Sequence, residues 1–150
     1  MTVFVDSSGL VKLYVPEAQH ETVVAIAEAI VISVVARVEV PSALWRKQRI
    51  GELTADDAGV LSAAFAADLA GDDDAPARFA SIGLVDDVLD EAVAAVSRHG
   101  LRAYDGIQLA SAIVARRAVA DLDAFVAFDL ALRRAAAAEG FAVRPSAVDR

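Results

Sequence analysis

Short apolar runs alternate along the chain with longer segments in which apolar residues recur at helical spacing. Strands are predicted at residues 2–6, 30–35, 79–85 and 124–128, with an edge strand at 141–143. Helical patterns fill the segments between them, near residues 8–14, 16–29, 36–50, 55–69, 86–99, 103–117 and 130–139. Regular alternation of strand and helix predicts βαβ units around a mainly parallel sheet.

Polar residues and glycines mark several of the predicted helix boundaries. Thr54, Asp86 and Asp129 each stand where a side-chain oxygen can accept a hydrogen bond from the first free amides of a helix. Gly100 and Gly140 follow helical patterns and are predicted to end them.

The bulk composition is that of a globular chain. With 150 residues, 57% of them hydrophobic and 24% charged, the sequence can bury a core, and one domain is predicted over residues 1–150. The apolar stretch 29–36 is far shorter than the roughly 20 residues that a membrane-spanning helix needs. The absence of cysteine excludes disulfides and thiol nucleophiles and is consistent with a cytoplasmic location.

The formal charge of −8, from 14 basic and 22 acidic residues, restricts the partners of the chain. It argues against broad, nonspecific nucleic-acid binding, which depends on neutralising phosphates. It does not exclude a nuclease, since bound metal would neutralise several acids. An acidic surface also suits a basic protein partner.

Four acidic residues each lie at the end of a predicted strand or in the helical segment that follows it. Asp6 ends the first strand, Glu39 follows the second, Asp105 opens the helix at 103–117, and Asp129 follows the fourth strand. In open α/β folds, ligands bind beyond the carboxyl ends of the strands, so these carboxylates are expected to converge. Asp123 is set aside because it is predicted to precede the fourth strand, at the opposite edge.

Converging carboxylates repel one another unless a cation lies among them, and hard oxygen ligands suit Mg²⁺, with Mn²⁺ as a substitute. One or two such ions would make the chain a metal-dependent phosphodiesterase. Each acid also has a simpler interpretation. Asp6 and Asp129 suit helix caps, Glu39 suits an exposed helix position, and Asp105 suits the positive end of a helix dipole.

Five neighbouring residues are further candidates for the site. Ser7 and Ser8 are placed either to donate hydrogen bonds to Asp6 or to cap the helix that follows. Lys12, Arg102 and Tyr104 flank the acids, where they could contact RNA through phosphate or by stacking on a base, or could simply be surface groups.

At these positions the sequence resembles the PIN-domain ribonucleases, specifically the VapC-type toxins of type II toxin–antitoxin systems. The matching segments are VDSSGLVK at 5–12, RVEV at 37–40, LRAYDGIQLA at 101–110 and VAFD at 126–129. The likeness covers nearly the whole chain in order and spacing, and the third segment is the most specific. Many such toxins carry Ser or Thr two residues before the fourth acid, where this chain has Ala127.

The resemblance implies an α/β fold, a PIN-like three-layer α/β/α sandwich with a mainly parallel central sheet. It implies an endoribonuclease in which Asp6, Glu39, Asp105 and Asp129 bind Mg²⁺ or Mn²⁺ and hydrolyse RNA phosphodiester bonds with metal-activated water. It also implies a cognate antitoxin protein as partner, together with a homodimer or a hetero-oligomer with the antitoxin.

Two other functions are compatible with the same residues. One is a different Mg²⁺-dependent phosphohydrolase acting on DNA or on a small phosphate ester. The other is a non-catalytic protein-interaction domain, whose acids only cap helices. Absence of metal binding, together with a loss of helix stability of roughly 0.5–2 kcal/mol when each cap is removed, would mark the second of these.

Overall fold

The computed structural model describes residues 1–147, which form a parallel sheet with helices on both faces. In chain order, the elements are β1 Thr2–Val5, α1 Ser7–Tyr14, α2 His20–Val24, β2 Ala29–Ser33, α3 Ala36–Arg49, α4 Ala55–Ala70, β3 Phe79–Ile82, α5 Asp86–His99, α6 Ala103–Ala118, β4 Leu122–Val126, α7 Leu130–Ala138 and β5 Ala142–Arg144. The predicted α/β/α sandwich is confirmed.

The sheet has the order β3-β2-β1-β4-β5, and every neighbouring pair is parallel. From β1 the chain first builds outward through β2 and β3, and then returns to place β4 on the other side of β1. The strand order therefore reverses between β1 and β4, and a crevice opens beyond the carboxyl ends of strands at such a point.

Alternate residues of the central strands enter two separate cores, as buried parallel strands require. Val3 and Val5 of β1 pack with the side of the sheet covered by α1, α3 and α4. Phe4 packs on the opposite side with α6 and α7, where it stacks on Phe125 at 5.1 Å between ring centroids. Burial on both faces fixes the register of the strands, and therefore fixes where each strand ends.

Several predicted boundaries are wrong by a few residues. The second strand ends at Ser33 instead of residue 35, and the third at Ile82 instead of residue 85. The fourth runs over Leu122–Val126, so Asp123 lies within it rather than before it. The N-cap of α5 is Val85, and Asp86 is the first residue of that helix.

The helix predicted at residues 16–29 is much shorter in the structure. Only His20–Val24 is helical, because Gln19 takes a left-handed conformation with φ of 70°. Just before Gln19, the carbonyl of Ala18 accepts a hydrogen bond from Lys12 Nζ at 2.9 Å, which ties the turn between α1 and α2 to α1.

None of the helices within residues 1–147 combines the length and the apolar character that crossing a bilayer requires.

Candidate active site

Asp6 is the innermost of the predicted site residues, with a relative exposure of 4%. It directly follows β1 and caps α1, since its Oδ1 accepts hydrogen bonds from Gly9 N at 2.9 Å and Ser8 Oγ at 2.7 Å. Burial raises the pKa of Asp6 to about 7; the charges of Glu39 and Asp105 add to the effect, and the two hydrogen bonds oppose it. The fold therefore keeps the Asp6 side chain away from water, which disfavours its charged form.

Ser8 also joins the ends of the two central strands. Its Oγ accepts a hydrogen bond from the backbone N of Phe128 at 3.2 Å, so the residue that fixes Asp6 also holds the segment after β4. Ser7, the other serine predicted near Asp6, instead donates to Glu39 Oε1 at 3.0 Å. Each serine therefore orients a different acid.

Glu39 lies in the first turn of α3 and is held by two residues from other elements. Besides Ser7, the buried Gln108 of α6 donates from Nε2 to Glu39 Oε1 at 2.8 Å and to Ser7 Oγ at 2.8 Å. The other amide atom, Gln108 Oε1, is buried and has no hydrogen-bond partner within residues 1–147. Acceptor oxygens are thus in excess around Glu39.

Asp105 and Asp129 are linked by one arginine. Arg102 Nε donates to Asp105 Oδ2 at 2.9 Å, and its Nη2 lies 3.6 Å from Asp129 Oδ2. Asp129 uses its other oxygen to cap α7, accepting from Leu132 N at 3.0 Å. Ala127, two residues earlier, is fully buried and offers no side-chain hydrogen bond to Asp129.

All four acids line one open cavity of about 1400 Å³ at the carboxyl edge of the sheet. The cavity is also lined by the predicted residues Ser7, Ser8, Lys12, Arg102 and Tyr104. Tyr104 is 60% exposed, as a ring available for stacking would be. The structure thus brings the sequence-predicted residues together from four separate segments.

Three solved structures are similar to the chain over almost its full length. A chain of a toxin–antitoxin complex from Klebsiella pneumoniae shares 16% identity with a TM-score of 0.54, and covers 98% of this chain and 96% of its own. The VapC20 toxin of Mycobacterium tuberculosis, described as cleaving the sarcin–ricin loop, shares 19% identity with a TM-score of 0.59 and coverages of 93% and 95%.

The third is PAE2754 from Pyrobaculum aerophilum, at 20% identity and a TM-score of 0.55, with coverages of 95% and 89%. The chain has a PIN-like fold. Identities of this size establish the fold alone. No family model matches the sequence, and no curated protein matches it.

The candidate ligands gathered in this cavity are all carboxylate oxygens, which suit a hard divalent cation. Within residues 1–147, however, no three Asp, Glu or His side chains already stand in a metal-binding arrangement. Arg102 engages Asp105 and Asp129, so these two carboxylates would have to turn away from it to reach a shared ion. The four acids therefore suit a divalent metal by their ligand chemistry, provided that the side chains of Asp105 and Asp129 rotate.

Sequence reasoning missed three residues of the cavity that make specific contacts. Gln108 stands three positions after Asp105, which puts it on the same side of α6, and that spacing could have identified it. Glu17 and Lys47 are bonded to each other at 2.5 Å across 30 residues of sequence. No local pattern could have indicated that pair.

Proposed function

We propose that the chain is a metal-dependent endoribonuclease, the toxin component of a toxin–antitoxin pair. One observation carries the proposal: carboxylates from four separate segments, Asp6, Glu39, Asp105 and Asp129, line a single cavity where the strand order reverses. The PIN-like fold that it shares with VapC20, described as a toxin that cleaves the sarcin–ricin loop, supports the same function.

In this proposal the four acids hold Mg²⁺, for which Mn²⁺ can substitute. The ion would supply a hydroxide nucleophile at neutral pH and neutralise charge on the phosphate. The protein's own part is to hold the carboxylates in place. Ser8 and the amide of Gly9 fix Asp6, while Ser7 and Gln108 fix Glu39.

Helix capping accounts for only two of the four acids. Asp6 and Asp129 do cap helices. Glu39 and Asp105 cap none, because α3 and α6 begin without a side-chain capping bond. Their carboxylates face the cavity instead, which favours an enzyme over a non-catalytic interaction domain.

The size of the cavity favours a polymer over a small phosphate ester. At about 1400 Å³ it exceeds the roughly 300–1,000 Å³ of typical small-molecule sites. The choice of RNA over DNA rests on the fold shared with VapC20.

The partner in this proposal is a cognate antitoxin, a small protein with a basic tail encoded near the gene. It is supported by the similar chain found in a toxin–antitoxin complex and by the charge of −8. A homodimer, or a hetero-oligomer with the antitoxin, acting in the cytoplasm, completes the proposal. Purification from the native host without any such companion would contradict the toxin assignment.

The decisive test is the Asp105→Asn variant. It should lose RNA cleavage by at least about 100-fold, because a ligand and its charge are removed together. Its circular dichroism spectrum and unfolding temperature should stay close to those of the wild type. Asp123→Asn, which neutralises an exposed carboxylate within β4, is the matched control and should cleave normally.

Parallel assays with RNA, single-stranded DNA and a small phosphate ester, with Mg²⁺ and with EDTA, identify the substrate class. Retained RNA cleavage by Asp105→Asn would remove Asp105 from the mechanism. Calorimetric Mn²⁺ titration of the wild type, Asp6→Asn and Asp105→Asn then tests whether distant acids share one metal site. Binding that both variants retain would contradict such a site.

A further inference from the structure

A second charged cluster, separate from the four acids, lines the same cavity. Glu17, in the turn between α1 and α2, accepts from Lys12 Nζ through Oε1 at 3.0 Å and from Lys47 Nζ through Oε2 at 2.5 Å. The two lysine side chains are well enclosed, with exposures of 15% and 14%. The ammonium groups are therefore held in place, unlike ordinary surface lysines.

The distribution of charge sets this side of the cavity apart from the rest of the molecule. Five of the chain's 14 basic residues line the cavity, although the chain as a whole carries −8. Arg102 lies with the acids, and the other four belong to α1 and α3: Lys12, Arg37, Arg46 and Lys47. Glu17 is the acid that bonds to two of those four, and Glu39 of α3 also lines the cavity.

We propose that Lys12 and Lys47 form a binding site for a backbone phosphate of the RNA strand, beside the phosphate to be cleaved, and that Glu17 fills this site until RNA arrives. The inference rests on the proposed nuclease function and adds to it a specific contact for the substrate.

The contacts of Glu17 are those that a phosphate would make. Each carboxylate oxygen accepts from a different ammonium, as two oxygens of one phosphate would do. Lysine binds phosphate as a point charge, so the exchange of one anion for another needs no new geometry. Although burial acts to raise the pKa of Glu17, the bonds from Lys47 and Lys12 lower it, and the group stays anionic.

Lys47 has a further partner outside the cavity. Glu52, whose side chain is 53% exposed, accepts from Lys47 Nζ at 2.8 Å and is not among the lining residues. Lys47 would therefore keep one carboxylate partner when a phosphate displaces Glu17. Glu52 also provides a control carboxylate on the same ammonium.

A merely structural network and a phosphate site predict different changes in RNA affinity when Glu17 or Lys47 is substituted. If the ion pairs only tie α1 to α3, loss of either partner should weaken RNA binding in the same direction. If Glu17 competes with phosphate, Glu17→Gln should bind RNA about threefold more tightly, and Lys47→Gln about three- to tenfold more weakly. Opposite signs are the signature of the proposed site.

The measurement is fluorescence anisotropy of a labelled 12-nucleotide RNA with Mg²⁺, with every variant made in the non-cleaving Asp105→Asn parent. Lys47→Gln should also make the slope of log affinity against log salt shallower by about 0.7, the value for one phosphate on a single strand. Lys47→Arg, which keeps the charge, should bind as the parent does.

Two controls isolate the cavity. Glu52→Gln removes an anion from the same lysine, and Arg49→Gln removes a cation from the same helix end outside the cavity; both should leave affinity unchanged. Thermal unfolding of each variant identifies any that fail to fold. If Glu17→Gln fails to fold, the difference in RNA affinity between Lys47→Arg and Lys47→Gln still tests the phosphate site.

Weaker binding by both Glu17→Gln and Lys47→Gln, or equal binding by Lys47→Gln and the parent, would overturn the phosphate site while leaving the nuclease proposal intact. A parent that binds no RNA at all would overturn the proposed function, and the phosphate site with it.

Discussion

Arg102 supplies Asp105 and Asp129 with a positive charge at the place where a metal ion would supply one. Its side chain is 80% exposed, so its bonds to the two carboxylates compete with water and are weak. We expect Arg102→Gln to bind Mn²⁺ about two- to fivefold more tightly than the wild type, as judged by calorimetry, because the ion no longer displaces an arginine.

Arg37→Gln is the matched control for Arg102. Arg37 lines the same cavity but makes no ion pair within residues 1–147, so its loss changes the local charge without freeing a carboxylate. If both variants gain affinity equally, long-range charge explains the effect, and Arg102 has no particular relation to the metal.

The buried carboxylate of Asp6 makes the metal-free protein less stable as pH rises. A folded-state pKa of about 7, above the ordinary 3.8, means that the folded protein holds a proton there which the unfolded chain releases. Stability contributed by that proton is present below pH 3.8 and is lost as pH rises through 7.

Asp6→Asn should remove this dependence while keeping the Oδ1 acceptor for Ser8 and Gly9. In EDTA we expect the variant to exceed the wild type by about 1–4 kcal/mol at pH 8 and to match it near pH 4. Urea unfolding at pH 4, 6 and 8 measures the difference, with the exposed Asp123→Asn as control. Parallel pH curves for Asp6→Asn and the wild type would contradict the assignment.

At the scale of elements, Asp105 is positioned by the close packing of α6 on α5. Gly106 makes this approach possible, since a Cβ there would lie 2.5 Å from Val96 Cγ2 and 3.4 Å from the carbonyl oxygen of Ala92. Valine is stiff at χ1 in a helix, so Val96 cannot easily turn away. The glycine next to the candidate ligand is therefore a packing requirement.

Gly106→Ala should destabilise the protein by about 0.5–2 kcal/mol, the overpacking cost less the gain in helix propensity. Adding Val96→Ala should make the double variant less unstable than the sum of the single changes, as double-mutant unfolding curves would reveal. Gly59→Ala, in α4 with open space around the new Cβ, should instead stabilise by up to about 1 kcal/mol. If Gly106→Ala instead stabilises the protein, α5 can shift to accommodate the new Cβ, and the packing requirement at Gly106 is contradicted.

Local signals predicted the elements well where capping and burial agree. The Thr54 cap of α4 is confirmed, and so is the Asp129 cap of α7, because a polar side chain beside free amides needs no distant partner. The segment at 16–29 failed for the opposite reason. Its helical pattern is interrupted by the left-handed conformation of Gln19, next to the Ala18 carbonyl that Lys12 binds, and helical periodicity encodes neither feature.

For the whole molecule, the placement of the four acids around one cavity follows from a general property of parallel sheets, which the alternation of strands and helices in the sequence already indicates; their shared binding of a metal stays a prediction. The partners of those acids were not predictable in the same way. Gln108 reaches Glu39 across 69 residues, and the neighbouring pair of Lys47 and Glu17, outside the four acids, spans 30; only the fold sets these distances. The sequence therefore indicates the four acids but not Gln108, which orients Glu39.

The charge of the whole molecule limits how RNA can bind. With a net charge of −8 and four basic residues of α1 and α3 lining one cavity, contact with RNA should involve two to four phosphates. At about 0.7 per phosphate for a single strand, log affinity should fall with log salt at a slope of about −1.5 to −3. Anisotropy titrations of the Asp105→Asn protein between 50 and about 300 mM salt measure this slope. A slope steeper than about −5 would require phosphate contacts far outside the cavity, and would show that the acidic surface does not confine the strand.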